Sequence, residues 1–314
     1  MAVENTVEQN RVGKSSVRDN ATSLDIQRTR IESPSARAVR RFLRHRLAVS
    51  GLIFIVLLTI VTFPLASVVA PIPPEKMDLV AIRQPPSAEH ILGTDAIGRD
   101  VLSRVVYGGR VSMAVGLFAV LIFMTIGTTL GGLAGYYGGN IDAIIMRVTD
   151  TVMAFPVLVI LISIVAIIGP GIQNVMFAIG FISWTGVARL VRSQVLSLRT
   201  VDFVLAAKAS GVPELYIMTR HIFPSIVGPI TVAGSFGIAG AILTEASLSF
   251  LGLGVQVPTP SWGNMLNEAQ SIQIIESFLW LWLPPGLMIS LCVLAINFIG
   301  DGLRDALDPR SLLD

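Results

Sequence analysis

Residues 111–134 read VSMAVGLFAVLIFMTIGTTLGGLA, a run without a charged side chain. About 20 apolar residues suffice for a helix to cross the hydrocarbon core of a bilayer, so this stretch reads as a membrane span. Five further stretches of the same kind lie on either side of it, at about 47–69, 144–168, 172–191, 226–250 and 278–299. Charges crowd two of the ends. Asp142, Arg147 and Asp150 surround the start of the third span, and Arg189 and Arg192 stand at the end of the fourth. The reading is an all-α, polytopic membrane protein with six transmembrane helices.

Composition supports it. Of 314 residues, 53% are hydrophobic and 14% charged, against roughly a quarter charged in a soluble domain. The mean hydropathy is +0.72. A soluble globular enzyme and a disordered chain are both excluded. Cys292 is the single cysteine, so there is no internal disulfide. The three histidines are scattered, and no metal site is expected.

The cations are unevenly placed. Ten of the 23 Lys and Arg lie in residues 1–46, and only Arg304 and Arg310 lie after residue 224. With the N-terminus inside, 18 fall in inner segments and five outside. The positive-inside bias therefore puts both termini in the cytoplasm. Residues 1–35 read as a disordered cytoplasmic tail. In it Gly13-Lys14-Ser15 resembles the end of a phosphate loop, but Glu8 stands where the first glycine belongs, and the motif is rejected. Residues 36–46 (ARAVRRFLRHR) form a short basic amphipathic segment suited to lipid headgroups. No folded basic domain surrounds it, so a nucleic-acid role is not expected. Residues 47–300 make the six-helix domain, and 301–314 a cytoplasmic C-terminal tail.

Glycines at 127, 131 and 135 make one helix face smooth, and Gly234, Gly237 and Gly240 repeat the pattern. Such faces let helices approach closely. Pro156 and Pro229 kink spans or mark their ends.

The inner loop 193–225 is long and polar. Its segment VLAAKASGVPELYIMTRHIFP, residues 204–224, reads as helix, glycine turn at Gly211, then a second helix that begins at Pro213 and stops at Pro224. Ala206, Ala207, Gly211 and Pro224 resemble the coupling loop of bacterial ABC importer permeases, whose pattern is Glu-Ala-Ala, three residues, Gly, nine residues, Ile, any residue, Leu-Pro. Leu205, His221 and Phe223 depart from it. Two outer segments add to the likeness. LGTDAIGRDVLSR (92–104) and LTEASLSFLGLG (243–254), the latter followed by PTPSWG (258–263), resemble the C-type permease of the dipeptide, oligopeptide and nickel importers.

The resemblance implies a type I ABC importer permease of the bacterial cytoplasmic membrane. It implies a second permease subunit, two ATP-binding subunits and an extracytoplasmic binding protein as partners. It implies no catalysis and no cofactor on this chain, with ATP and Mg on the ATPase subunits. Residues about 203–213 would dock on the ATPase, with Ala206 and Ala207 permitting close approach and Lys208, Glu214 and Arg220 as charge partners. The cargo would be a di- or oligopeptide; nickel or another small solute is the alternative. A secondary transporter working alone would place several ionisable groups at the bilayer midplane, and only Glu245 is a candidate. A membrane-embedded enzyme finds no HExxH and no nucleophile–base pair.

Glu245 has two readings. It faces the translocation pathway, or it is a buried acid bonded to Ser247, Ser249 or another subunit. Asp150 and Arg147 are one turn apart and suited to a local pair. Asp95, Arg99, Asp100 and Arg104 either tie the outer segment to a neighbour or contact the binding protein.

Overall fold

The structure, a computed structural model, describes residues 34–307. Most of the expected 1–35 tail, including Gly13-Lys14-Ser15, lies outside the described residues, as do residues 308–314. The architecture is helical throughout, and among the described residues the only β-pairing is an isolated bridge between Thr94 and Asp100.

Helix α1 (Pro34–Arg44) carries the basic segment and turns by 92° into α2 (Arg46–Thr62). His45 sits at the corner, where its Nδ1 accepts from the Ala48 amide at 3.1 Å and caps α2. A short α3 (Ala66–Val69) follows. The longest helix comes next, α4 (Val101–Tyr137), followed by α5 (Gly139–Met153), α6 (Val157–Ile168), α7 (Ile172–Ile182) and α8 (Trp184–Leu198). After α9 (Asp202–Ala209) and α10 (Glu214–Ile217), a π-helical turn (Met218–Ile222) leads into α11 (Phe223–Phe250). The outer end holds α12 (Trp262–Leu266), a 3₁₀ turn (Asn267–Gln270) and α13 (Ile272–Ser277). Helix α14 (Leu279–Leu307) closes the described chain.

Four stretches are long and apolar enough to cross a membrane: Val101–Tyr137, Ile172–Leu198, Glu214–Phe250 and Leu279–Leu307. The count reaches six if each of two bent pairs is one span. The third expected span, 144–168, is corrected by this geometry. It is two helices, α5 and α6, meeting at 85° around Pro156. Proline has no N–H to donate and restricts the residue before it, so the helix breaks there. The 12 residues of α6 reach about 18 Å at the usual rise, short of the bilayer core of about 30 Å.

Pro224 also behaves differently from expectation. It does not stop the second loop helix. The Phe223 amide bonds to the Met218 carbonyl across the π turn, and the helix runs on from Glu214 to Phe250. Pro224 stands directly after the π turn, where its missing N–H removes one bond from an already widened ladder and does not end the helix.

The glycine face of α4 packs on α8. A Cβ at Gly127 would lie 2.7 Å from the Trp184 carbonyl oxygen, and one at Gly135 would lie 2.8 Å from that of Arg192; one at Gly131 would strike Ala188. The second glycine series is mixed. Gly237 is pressed against Phe123, whereas a Cβ at Gly240 would meet nothing within 4 Å. The largest core cluster lies among α4, α6, α7, α8 and α11 and reaches α9 and α10, built on Val115, Phe123, Leu161, Val165, Ile179 and Val191. A second joins α2, α11, α12 and α14 through Leu58, Ile242, Trp262 and Ile289. Exposed large apolar side chains such as Leu57, Phe118, Val159 and Leu291 cover the outside, as a lipid-facing surface requires.

Asp150 does not pair with Arg147. It reaches across to Arg189 at 2.5 Å, and Asp142 receives both Nε and Nη2 of Arg192, at 2.5 and 2.6 Å. These forks tie α5 to α8. Arg199 donates to the carbonyls of Gly135 and Tyr136 and so closes the C-terminal end of α4.

Candidate functional site

The loop between α8 and α11 holds the coupling candidates. Helix α9 ends in a Schellman turn. The Gly211 amide bonds to the Lys208 carbonyl at 3.1 Å, and the Val212 amide bonds to the Ala207 carbonyl at 3.2 Å. Gly211 has φ +76°. Open space surrounds it, so the left-handed backbone, not crowding, demands glycine. Ala207 and Val212 flank the turn and pack on the main core, with Val204, Ile217 and Ile222 buried beneath. The anchor is firm on one side only.

The other side is open. Ala206, Lys208, Gly211, Glu214, Arg220 and Pro224 are exposed, and Ala207 is half-buried. Phe203, Leu205, Leu215 and Tyr216 are 44%, 49%, 66% and 52% exposed. Leu205, which departs from the Glu of the resembled pattern, is therefore part of an exposed apolar face. Lys208 and Glu214 lie 3.8 Å apart across the turn. The ring of His221 lies 6.4 Å from that of Phe203 and 5.9 Å from that of Tyr216. The exposed apolar residues were legible only as helix positions in the sequence, because their outward direction depends on how α9 is seated.

At the opposite end, Glu245 is fully buried. Its Oε2 accepts from Ser112 Oγ at 3.0 Å, and its Oε1 accepts from Ser249 Oγ at 2.7 Å. Ser112 Oγ in turn accepts from the Trp262 amide at 3.2 Å, and Ser249 Oγ accepts from the Val255 amide at 3.1 Å. Trp262 donates its indole N–H to the Val105 carbonyl at 2.9 Å. Ser261 and Asn264 close a capping box on α12. Glu245 thus joins α4, α11 and the loop into α12. Ser249 was an anticipated partner. Ser247 instead donates to its own helix, at Leu243. Ser112 was missed: its one signal is a polar side chain near the start of an apolar run.

The third group lies at the outer end of α4. Asp95, Arg99, Asp100 and Arg104 are 3–5% exposed. Asp95 Oδ1 accepts from the amides of Ile97 and Arg99, and its Oδ2 takes Arg99 Nε at 2.6 Å with Arg104 Nε at 3.5 Å. Asp100 caps α4 through the Ser103 amide at 2.8 Å, while its other oxygen meets His90 Nδ1 at 3.0 Å. All four side chains are engaged within this segment, Asp95 with Arg99 and Arg104 and Asp100 with His90 and Ser103, so contact with a second protein through them requires the segment to open. Glu268, from the 3₁₀ turn, joins the group. Burial pushes its carboxyl above the usual range, the nearby Asp95 charge adds to this, and Arg104 opposes it.

Residues 127–312 match the family described as binding-protein-dependent transport system inner membrane component. Residues 33–86 match the N-terminal TM domain of oligopeptide transport permease C. The dipeptide transport system permease protein DppC of Alkalihalophilus pseudofirmus is 45% identical over 288 residues, covering 88% of this chain and 90% of that one. The glutathione transport system permease protein GsiD of Pectobacterium atrosepticum is 45% identical over 291 residues, covering 92% and 96%. The GsiD protein of an Escherichia coli strain is 43% identical over 292 residues, covering 93% and 95%.

Proposed function

The chain belongs to the family of binding-protein-dependent transport system inner membrane components, and from that premise we propose that it is the C-type permease subunit of an ATP-driven peptide importer. It is a multi-pass protein of the bacterial inner membrane. The peptide assignment rests on relatives of nearly full length whose names give dipeptide and glutathione as cargo, together with the oligopeptide-type N-terminal match. The proposed partners are a second permease subunit, two cytoplasmic ATP-binding subunits that hold ATP and Mg, and an extracytoplasmic binding protein. This chain supplies no cofactor and no catalytic group. Both termini lie in the cytoplasm, which places the basic helix α1 against inner-leaflet headgroups.

The observation that carries the coupling role is the two-sided loop. Its inner side is locked into the core at Val204, Ile217 and Ile222, and its outer side presents Phe203, Leu205, Leu215 and Tyr216. An exposed apolar patch of this kind marks a protein contact. Because the helix is continuous from Glu214 to Phe250, a push on α9 and α10 is delivered along α11 as a rigid-body motion. The outer end of α11 is clamped to α4 by Glu245, so movement at the cytoplasmic end reaches the outer loops.

Reconstitution tests the assignment. The assembled transporter, its ATPase subunits and its binding protein are combined, and ATP hydrolysis is measured with a panel of dipeptides, longer peptides and nickel. Stimulation by peptides and not by nickel is expected. Stimulation by nickel alone overturns the peptide assignment.

A further inference from the structure

A groove runs between α2 and α4 on the outside of the helix bundle. Its volume is about 500 Å³, within the range of about 300–1,000 Å³ typical of small-molecule sites. Thr59 of α2 and Phe63 just past its end form one wall, Ala114 and Leu117 of α4 the other, and Ser235 of α11 and Cys292 of α14 lie on the floor. The hydroxyl protons are already engaged, because Thr59 donates to Ile55 and Ser235 to Thr231 within their own helices, and no other lining side chain carries an oxygen or nitrogen. A ligand in this groove must be apolar along its length.

A cation, Arg110, stands beside the groove, bonded to the backbone of Phe63, which lines it. Arg110, Ala114 and Leu117 follow one another at helical spacing on one face of α4. Arg110 donates Nε to the Thr62 carbonyl and Nη2 to the Phe63 carbonyl, the latter at 2.7 Å. Its guanidinium lies 4.8 Å from the Tyr107 ring centre and 5.7 Å from that of Phe63. The position is fixed by four groups, none of them anionic. Among the described ion pairs, none includes Arg110. A cation near the bilayer without a carboxylate is costly unless something supplies the counter-charge.

We propose that the groove holds one acyl chain of an anionic phospholipid, whose phosphate meets the Nη1 edge of Arg110. The fit is of charge to charge and chain to groove. The planar guanidinium suits a phosphate, to which it donates two parallel N–H groups. The floor of the site is α11, the helix continuous with the coupling segment. Lipid occupancy therefore bears on the helix that the ATPase would move.

The assembled transporter, extracted from membranes and held in nanodiscs of phosphatidylcholine containing phosphatidylglycerol, provides the test. Lipid retained after extensive delipidation is counted by native mass spectrometry, and a phosphatidylglycerol with a photoreactive acyl chain maps the contact. Retention of phosphatidylglycerol over phosphatidylcholine is expected, with labelling at residues 55–63 and 113–118. Arg110→Gln lowers the retention about fivefold, the weight of one basic side chain near anionic lipid. Arg110→Lys keeps most of it, and Ala114→Trp, which fills the groove and spares Arg110, removes it. Equal retention of the two lipids overturns the proposal, as does retention unchanged in both Arg110→Gln and Ala114→Trp. Cross-linking of a Leu117→Cys variant to the second permease subunit through this groove overturns it too. These outcomes do not depend on which solute the transporter carries.

Discussion

Ser112 on α4 donates a 3.0 Å hydrogen bond to Glu245 on α11, 133 residues further along the chain. The acceptor is fully buried, and its second oxygen is held by Ser249. This one side chain fastens two long helices at their outer ends.

Glu245→Ala should therefore act on stability before transport. It strands the Ser112 and Ser249 hydroxyls and leaves a cavity, a cost of about 2–4 kcal/mol. Thermal unfolding of the detergent-purified complex should shift down, and the amount of assembled complex should fall in step with uptake. A variant with wild-type stability and no uptake would instead place Glu245 on the translocation pathway.

Gly211→Val forces a β-branched residue into a left-handed backbone at φ +76°, at a cost of about 1–3 kcal/mol. Nothing crowds the position, so the damage stays within the turn. Membrane insertion and assembly should persist while substrate-stimulated ATP hydrolysis falls at least about tenfold, as loss of a docking geometry worth about 1.4 kcal/mol or more would give. Gly211→Asn should be milder, because Asn tolerates this region.

Asp95→Ala removes the carboxylate shared by Arg99 and Arg104. Two guanidiniums are then left buried and close together, a loss of about 3–5 kcal/mol. Limited proteolysis at loop 70–100 should accelerate markedly. Unchanged protection would mean that the turn backbone, not the ion cluster, holds the loop.

Glu268 carries a pH prediction. Its carboxyl is raised above 4.5 by burial and by Asp95, so the folded state holds its proton more tightly than the unfolded state. That contribution is fully present below the unfolded value and is lost as pH rises through the folded one. Glu268→Gln should stabilise the complex at neutral pH and flatten the decline of melting temperature between acid and neutral conditions. An identical pH profile in the variant would refute the assignment.

Much of the fold is legible along the chain. The apolar run at 111–134 and the turn at Gly211 depend on near neighbours, and each forms where those neighbours predict. Span 3 shows the limit. Pro156 announced a break, but hydropathy summed over 144–168 ran straight through it, and hydropathy does not report an 85° bend. Pro224 shows the converse, because a π turn absorbed a residue that reads as a stop.

Helix existence was set by the sequence itself, since backbone hydrogen bonding, glycine geometry and apolar run length are local quantities. Partner choice was not. Asp150 chose Arg189 over Arg147, Asp142 took Arg192, and Glu245 chose Ser112. Those pairings form only when distant helices pack, because a charge or hydroxyl removed from water must find its partner in whatever lies beside it in space. The exposed face of α9 and the groove beside Arg110 belong to the same class. The chain lists their residues, and packing decides which of them remain uncovered.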